Sequence, residues 1–323
     1  MRDCVLITGT AGFIGSHLAQ RLLSDVGQVV GVDNFCDFYD PSIKRQNISQ
    51  ALESRDFTLV ESDIRDRKRI FDVFESYRPR VVVHLAAMAG VRPSIEMPDY
   101  YTDVNLNGTV NLLDAAVEFN TAKFIFASSS SVYGNNQKVP FAEDDNVDHP
   151  ISPYAATKKA GELICHTYWH LHQLPIVALR FFTVYGPRQR PDLAICKFLE
   201  LVSEARELPM FGDGNSSRDY TYIDDIIDGI LAAVDYCDKS RGYRIFNLGS
   251  DSPVSLKEMI NTIESVVGQK ARIKQLPMQP GDVNRTWADL TSVKAELGYQ
   301  PGTVLEDGIT RQWQWMRTLA QSH

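Results

Sequence analysis

Short, nearly unbroken apolar runs alternate along the first half of the chain with longer segments whose apolar residues recur at helical spacing. The runs Cys4–Thr8, Gln28–Val32, Phe57–Glu61, Val81–Leu85, Lys123–Ser128 and Ile176–Arg180 read as strands. The segments Ser16–Ser24, Lys68–Ser76 and Asn105–Phe119 read as amphipathic helices. Strands that alternate with helices at this spacing predict a mostly parallel sheet covered by helices on both faces, a doubly wound α/β (Rossmann-type) layout. Runs such as Val81-Val82-Val83 and Phe124-Ile125-Phe126 suit strands buried on both sides. After Arg180 the rhythm breaks into turn-rich pieces such as Tyr185-Gly186-Pro187 and Phe211-Gly212-Asp213-Gly214-Asn215. One more strand, Arg244–Leu248, is expected to extend the sheet, and Ser255-Leu256-Lys257-Glu258 reads as a capping box opening a helix that ends at Gly268. A smaller, mainly C-terminal α/β lobe is therefore expected beside the sheet.

The 323 residues allow one large domain or two, and 44% hydrophobic with 23% charged residues is the make-up of a globular chain. A formal net charge of −8 speaks against a non-specific nucleic-acid binder. Five scattered cysteines without a Cys-x-x-Cys pair fit reduced thiols. No apolar stretch reaches the ~18–20 residues that span a bilayer, and Val5–Ile7 is too short for a signal-peptide core. These features lead to the expectation of a cytoplasmic protein with no membrane or nucleic-acid partner. The histidines, among them His84 and His166, show no metal-ligand spacing and read as structural.

Between the first strand and first helix lies Thr8-Gly9-Thr10-Ala11-Gly12-Phe13-Ile14-Gly15. Small residues here let the backbone turn tightly and approach a pyrophosphate, whose charge meets N–H groups at the helix start. Gly9, Gly12 and Gly15 form a Gly-x-x-Gly-x-x-Gly variant of the dinucleotide fingerprint, a spacing also met in plain strand–helix turns. The context decides between these: Asp33 ends the second strand close to the ~20-residue offset at which a carboxylate accepts the adenosine ribose hydroxyls. An acid at that place repels a 2′-phosphate, so NAD is favoured over NADP.

Pro153-Tyr154-Ala155-Ala156-Thr157-Lys158 opens a predicted helix, which places Tyr154 and Lys158 on one face. A cation beside a phenol favours its ionised form and tunes it towards a general base. Alone, Tyr-x-x-x-Lys is also an ordinary helix-surface pattern. Upstream, however, strand Lys123–Ala127 leaves the sheet through Ser128-Ser129-Ser130-Ser131, at the carboxyl edge where α/β folds bind ligands.

The ordered set Thr8-Gly9-x-x-Gly12-Phe13-Ile14-Gly15, Asp63-Ile64-Arg65-Asp66, His84-Leu85-Ala86-Ala87, Asn105-x-x-Gly108-Thr109, Ser129-x-x-Val132-Tyr133-Gly134 and Tyr154-x-x-x-Lys158 resembles the extended short-chain dehydrogenase/reductase family over essentially the whole chain. The resemblance implies a bound NAD, with Tyr154 as base, Ser129 as its partner and Lys158 on the nicotinamide ribose. It places Phe13 and Ile14 with the glycines at the phosphates, Asp63 and Ile64 by the adenine, and Leu85, Ala86 and Ala87 along the pyrophosphate and ribose. It further implies a nucleotide-binding domain of 1–179 plus 224–252 and a nucleotide-sugar lobe of 180–223 plus 253–323. Helices near Asn105–Phe119 and Tyr154–His170 are expected to form a homodimer interface.

Within that family the second half resembles nucleotide-sugar 4-epimerases, most closely those acting on UDP-glucuronate. The matching stretches are Ala89-Gly90-Val91-Arg92-Pro93-Ser94, Arg180-Phe181-Phe182-Thr183-Val184-Tyr185-Gly186-Pro187, Arg190-Pro191-Asp192, Arg218-Asp219-Tyr220-Thr221-Tyr222 and Gln279-Pro280-Gly281-Asp282-Val283. By analogy the substrate is a UDP-sugar, with Arg218 on its diphosphate and Asp282 at the nucleotide end. Ser129, Ser130, Ser131 and Thr183 would hold a uronate carboxylate, with Arg190 and Arg92 as further candidates that read equally well as loop charges. Thr183 and Gln279 replace the asparagine and arginine usual in neutral-hexose 4-epimerases, which favours the uronate branch. Decarboxylases and 4,6-dehydratases of the family carry an acid just after the catalytic hydroxyl, where this chain has Ser130 and Ser131. The readings left open are a UDP-hexose 4-epimerase, a UDP-glucuronate decarboxylase and, from a different class, a non-catalytic NAD sensor.

Overall fold

The computed structural model describes residues 4–24, 27–240, 242–277 and 284–321. Its strands are β1 Cys4–Thr8, β2 Gln28–Asp33, β3 Phe57–Glu61, β4 Val81–His84, β5 Lys123–Ser129, β6 Ile176–Phe181, β7 Thr183–Tyr185, β8 Glu207–Phe211, β9 Ser217–Tyr222, β10 Tyr243–Leu248, β11 Pro253–Ser255 and β12 Arg272–Leu276. Seven of them form a wholly parallel sheet in the order β10-β6-β5-β4-β1-β2-β3. The order reverses between β1 and β4, and the crevice outside the strand ends at that point is where such sheets take ligands.

The apolar runs explain the layering. Alternate residues point to opposite faces, so Val5, Ile7, Val83, Ile125 and Leu179 enter one core while Leu6, Val82, Phe124, Phe126 and Ala178 enter the other. At ~25 cal/mol per Å² of apolar surface, two covered faces supply most of the favourable free energy of folding. The central strands lie within a residue of the sequence expectation at each end. The first helix, Phe13–Leu23, starts three residues earlier than the expected Ser16, directly behind the glycine loop.

The helix expected from Asn105 is different in kind. Asp103–Asn107 forms a π-helical turn that runs into helix Gly108–Glu118. The wider turn projects the Asn105 side chain inward, where Oδ1 accepts from the Met88 N–H at 2.8 Å and Nδ2 donates to the Met88 carbonyl at 3.0 Å and to Thr157 Oγ1 at 3.0 Å. A side chain thus supplies the pairing that β4 lacks as it leaves the sheet.

The smaller lobe contains two little sheets, β11-β9-β7 and β12-β8. Its helix Leu256–Val267 carries the expected capping box at Ser255 and Glu258 and ends at Gly268 in the left-handed region. Helices Ala194–Ser203 and Leu305–Gln321 pack in the same lobe. Among the described residues no helix is long and apolar enough to cross a membrane, and no group of three or more His, Cys, Asp or Glu is arranged to hold a metal.

Candidate active site

A cavity of about 510 Å³ runs along the carboxyl edge of the sheet. Its lining includes Gly9, Gly12, Phe13, Ile14, Gly15, Asp33, Asp63, Ile64, Leu85, Ala86 and Ala87, together with Ser129, Ser130, Ser131, Tyr154, Lys158, Thr183 and Arg190. The loops after β1 to β5, the start of helix Pro153–His172 and the stretch from β7 to Arg190 bring these together from positions far apart in the chain.

The phosphate loop is built around close backbone approaches. A Cβ on Gly9, which has φ +72°, would stand 2.8 Å from the Ala86 nitrogen, and one on Gly15 would stand 2.1 Å from the Gly9 carbonyl oxygen. No side chain of a described residue caps the helix that follows at Gly12, so its first N–H groups stay available to an anion. Asp33 braces the loop from β2: its carboxylate accepts from the Ala11 N–H at 3.0 Å and the Phe35 N–H at 2.9 Å. Burial raises the Asp33 pKa, against those hydrogen bonds and the charge of Lys44. Each oxygen keeps acceptor capacity for a ribose hydroxyl. Lys44, which the sequence reading passed over, also lines the cavity and donates to the Cys36 carbonyl at 2.7 Å. Nothing in its helical surroundings marks it in sequence.

At the far end Asp63 is committed to protein partners. Arg65 gives it two side-chain hydrogen bonds, at 3.0 and 2.9 Å, and Asn34 a third at 2.9 Å. Burial pushes its pKa up, but these donors prevail and hold it below the usual carboxylate range. The residues present therefore fit NAD: a glycine loop that side chains would close, an uncapped helix start, and a ribose-facing acid.

At the opposite end helix Pro153–His172 begins at Ser152, whose hydroxyl accepts from the Ala155 N–H at 3.1 Å, so Tyr154 lies in the first turn. Its ring packs edge-on against Tyr101, with centroids 6.3 Å apart. Ser129, at the end of β5, donates to Ser131 Oγ at 3.2 Å, accepts from the Ser131 N–H at 3.1 Å, and lies near enough to Tyr154 to lower its pKa. Ser128, its neighbour, turns away and donates to Glu162 at 2.6 Å.

The expected effect of Lys158 on the tyrosine needs correction. Its ammonium donates to the Ala127 carbonyl at 2.8 Å and stands 6.0 Å from the Tyr154 ring centroid. Burial raises the Tyr154 pKa, and the opposing influences are the Ser129 hydroxyl and the Arg190 charge. Lys158 is itself pulled down to about 8 by burial. The protein's own groups thus leave the phenol protonated at neutral pH. His84, between Thr8 and Thr109 at 2.7 and 2.9 Å, is lowered to about 3 by burial and by Lys158, and stays a neutral brace.

A second cavity, of about 330 Å³, is lined by Arg92, Arg218, Thr183, Gln189, Leu193, Phe211 and Tyr220 among others. Thr183 and Leu193 line both cavities, so the two adjoin there. The structure therefore separates the two arginine candidates. Arg190 faces the first cavity, paired with Asp192 at 2.8 Å and lying 5.0 Å over the Phe38 ring. Arg92 belongs to the second, 5.3 Å over Phe211 and in the same cavity wall as Arg218, rather than beside the serines. Asp282 and Gln279 lie outside the described residues.

Comparison with known proteins accords with this geometry. The family described as GDP-mannose 4,6 dehydratase matches residues 6–312. A UDP-glucuronate 4-epimerase of Thermodesulfobacterium geofontis is 42% identical over 313 residues, covering 97% of this chain and 95% of the relative. The Bacillus cereus UDP-glucuronic acid 4-epimerase, solved with UDP-glucuronic acid and NAD, superposes with a TM-score of 0.92 at 37% identity, over 98% of this chain and 99% of that one. The Thermotoga maritima UDP-glucose 4-epimerase, solved with UDP-glucose, gives 0.89 at 30% identity over the same shares. The chain belongs to the extended short-chain dehydrogenase/reductase family of epimerases and dehydratases.

Proposed function

We propose that this protein is an NAD-dependent UDP-sugar 4-epimerase that interconverts UDP-glucuronate and UDP-galacturonate. The observation that carries the reading is the junction of two cavities at Thr183, with a base and its hydroxyl partner on one side and two arginines on the other. Bound NAD would supply a reversible hydride acceptor for C4 and a positive charge near the phenol. Tyr154 takes the proton of the sugar 4-hydroxyl and later gives it back, while Ser129 holds the C4 oxygen in line. Lys158 would hold the cofactor's ribose. Arg218 and Arg92 hold the diphosphate, so that the 4-keto ring can turn about that anchor and present either face.

The side reaction such a site must suppress is plain from its chemistry. A 4-keto uronate is a β-keto acid. When its C5–C6 bond aligns with the carbonyl π system the bond breaks, its electron pair forms an enolate at C4 that takes a proton, and carbon dioxide leaves. Ser129, Ser130, Ser131 and Thr183 line the cavity as neutral hydroxyls able to fix the carboxylate out of that alignment. Among the described residues the carboxylates lining this cavity are Asp33 and Asp63, across the sheet from β5. An acid placed to drive dehydration is therefore missing beside Tyr154, despite the family model's description.

Proton NMR of the purified protein with UDP-glucuronate and no added NAD tests the reading. UDP-galacturonate is expected. A UDP-pentose product, or conversion of UDP-glucose alone, overturns it in favour of a decarboxylase or a neutral-hexose epimerase.

The reading includes a cytoplasmic homodimer. Helix Pro153–His172 leaves Leu163 56% and Leu171 71% exposed, and helix Gly108–Glu118 packs beside it. A second copy covering this face would bury both leucines. Replacing both by glutamate is expected to convert a two-chain sedimenting mass to a one-chain mass; an unchanged mass would rule out this interface.

A further inference from the structure

The stretch between Thr183 and Asp192 carries a substrate hydroxyl at one end and Arg190 near the other, and its backbone is unusual. Gly186 sits at φ +141° and Arg188, which has a side chain, at φ +64°. Such conformations persist only where the surroundings fix them. On the outer edge, the His17 ring lies 2.9 Å from the Pro187 carbonyl and Arg188 donates to Gln20 at 2.7 Å. The inner edge is held from the far end of the chain. Gln312, on helix Leu305–Gln321, is fully buried. Its Oε1 accepts from the Gly186 N–H at 3.0 Å, and its Nε2 donates to Gln189 Oε1 at 2.9 Å.

Gln189, also buried, extends the chain of amides. Its Oε1 takes a second hydrogen bond from the Cys196 N–H at 3.1 Å, and its Nε2 donates to the Val184 carbonyl at 2.9 Å. Gln189 itself lines the second cavity. Two side-chain amides therefore tie together the residue after Thr183, the turn at Gly186 and the first turn of helix Ala194–Ser203. We propose that Gln312 is a positioning residue for the reaction, acting through Gln189 to hold the loop in the form that presents Thr183 and Arg190 to the sugar. The proposal rests on the functional reading above, since it assigns the loop the task of holding the uronate.

Both amide termini are used, so the substitution Gln312→Met, of similar length but without polar atoms, removes two hydrogen bonds at once. Two readouts separate positioning from mere packing. The first is hydrogen exchange at Cys196, whose N–H pairs with Gln189 and not with Gln312. The second is carbon dioxide released per UDP-galacturonate formed. Gln312→Met is expected to speed exchange at Cys196 as well as Gly186. It should also raise the carbon dioxide ratio by about an order of magnitude, the factor that a lost buried hydrogen bond confers, with bound NAD unchanged. Cys196 exchange and a product ratio equal to the wild type would overturn the proposal. Should Gln312→Met fail to fold, Gln312→Glu decides: a protonated glutamic acid can accept from Gly186 and donate to Gln189, but a carboxylate only accepts. Cys196 exchange relative to the wild type at each pH should then rise as the buried acid ionises, and a flat ratio would refute the role. A wild type that leaves UDP-glucuronate untouched would defeat the functional reading, while the exchange measurements still judge the loop.

Discussion

Tyr154→Phe is expected to slow UDP-glucuronate turnover by about 10²–10⁴-fold, the range typical of losing a general acid–base group. The substitution deletes one oxygen and leaves the ring, so the edge-on contact with Tyr101 and the start of helix Pro153–His172 should persist. Bound NAD and the unfolding midpoint should match the wild type. The reasoning turns on charge. Burial raises the phenol pKa, and Ser129 and Arg190 only partly offset it. Bound oxidised NAD, held by Lys158, would supply the positive charge that ionisation still needs. Steady-state rates with quantified bound cofactor provide the check, and near wild-type turnover in the variant would remove Tyr154 from the chemistry.

The second large effect is on stability. Arg180 on β6 and Glu162 on helix Pro153–His172 are both fully buried and form a two-bonded ion pair, at 2.8 and 2.9 Å. Ser128 donates to Glu162, and Arg180 donates to the Tyr133 hydroxyl at 2.9 Å, which in turn donates to Asn247 at 2.7 Å. The pair locks the helix bearing Tyr154 against the strand ends bearing Ser129 and Thr183. Glu162→Leu strands a buried guanidinium and should cost about 3–5 kcal/mol. In a chain of this size that lowers the melting midpoint by on the order of 10 °C. Adding Arg180→Leu removes the stranded charge and should recover much of the loss. A Glu162→Leu melting curve like the wild type's would contradict this assignment.

The sheet was legible because its central strands β1, β2, β4, β5 and β6 are buried on both faces and so read as nearly plain apolar runs. Gly9, Gly12, Gly15 and Asp33 were legible because a phosphate loop and a ribose-facing acid would constrain short stretches of chain. The substrate side was reached mainly through family resemblance: Arg218 and Arg92 sit in ordinary-looking sequence, and only the fold brings them into one cavity wall. Glu162, Arg180, Lys44 and Gln312 escaped notice as structural determinants for a common reason. A polar residue reads as surface until its partners, tens of residues away, are known. The π-helical turn escaped because Asn105 fits a helical pattern; its reach to Met88 and Thr157 is a tertiary fact. The short strands β7 and β11 and the largely exposed β12 leave too little hydrophobic pattern to read.

The central claim is that C4 loses and regains its own hydride inside one closed site. Its most direct test is incubation of the purified protein with UDP-glucuronate deuterated at C4, without added NAD, followed by NMR of the product. UDP-galacturonate that keeps the deuterium at C4 is the predicted result. UDP-galacturonate whose label has exchanged with solvent would contradict it.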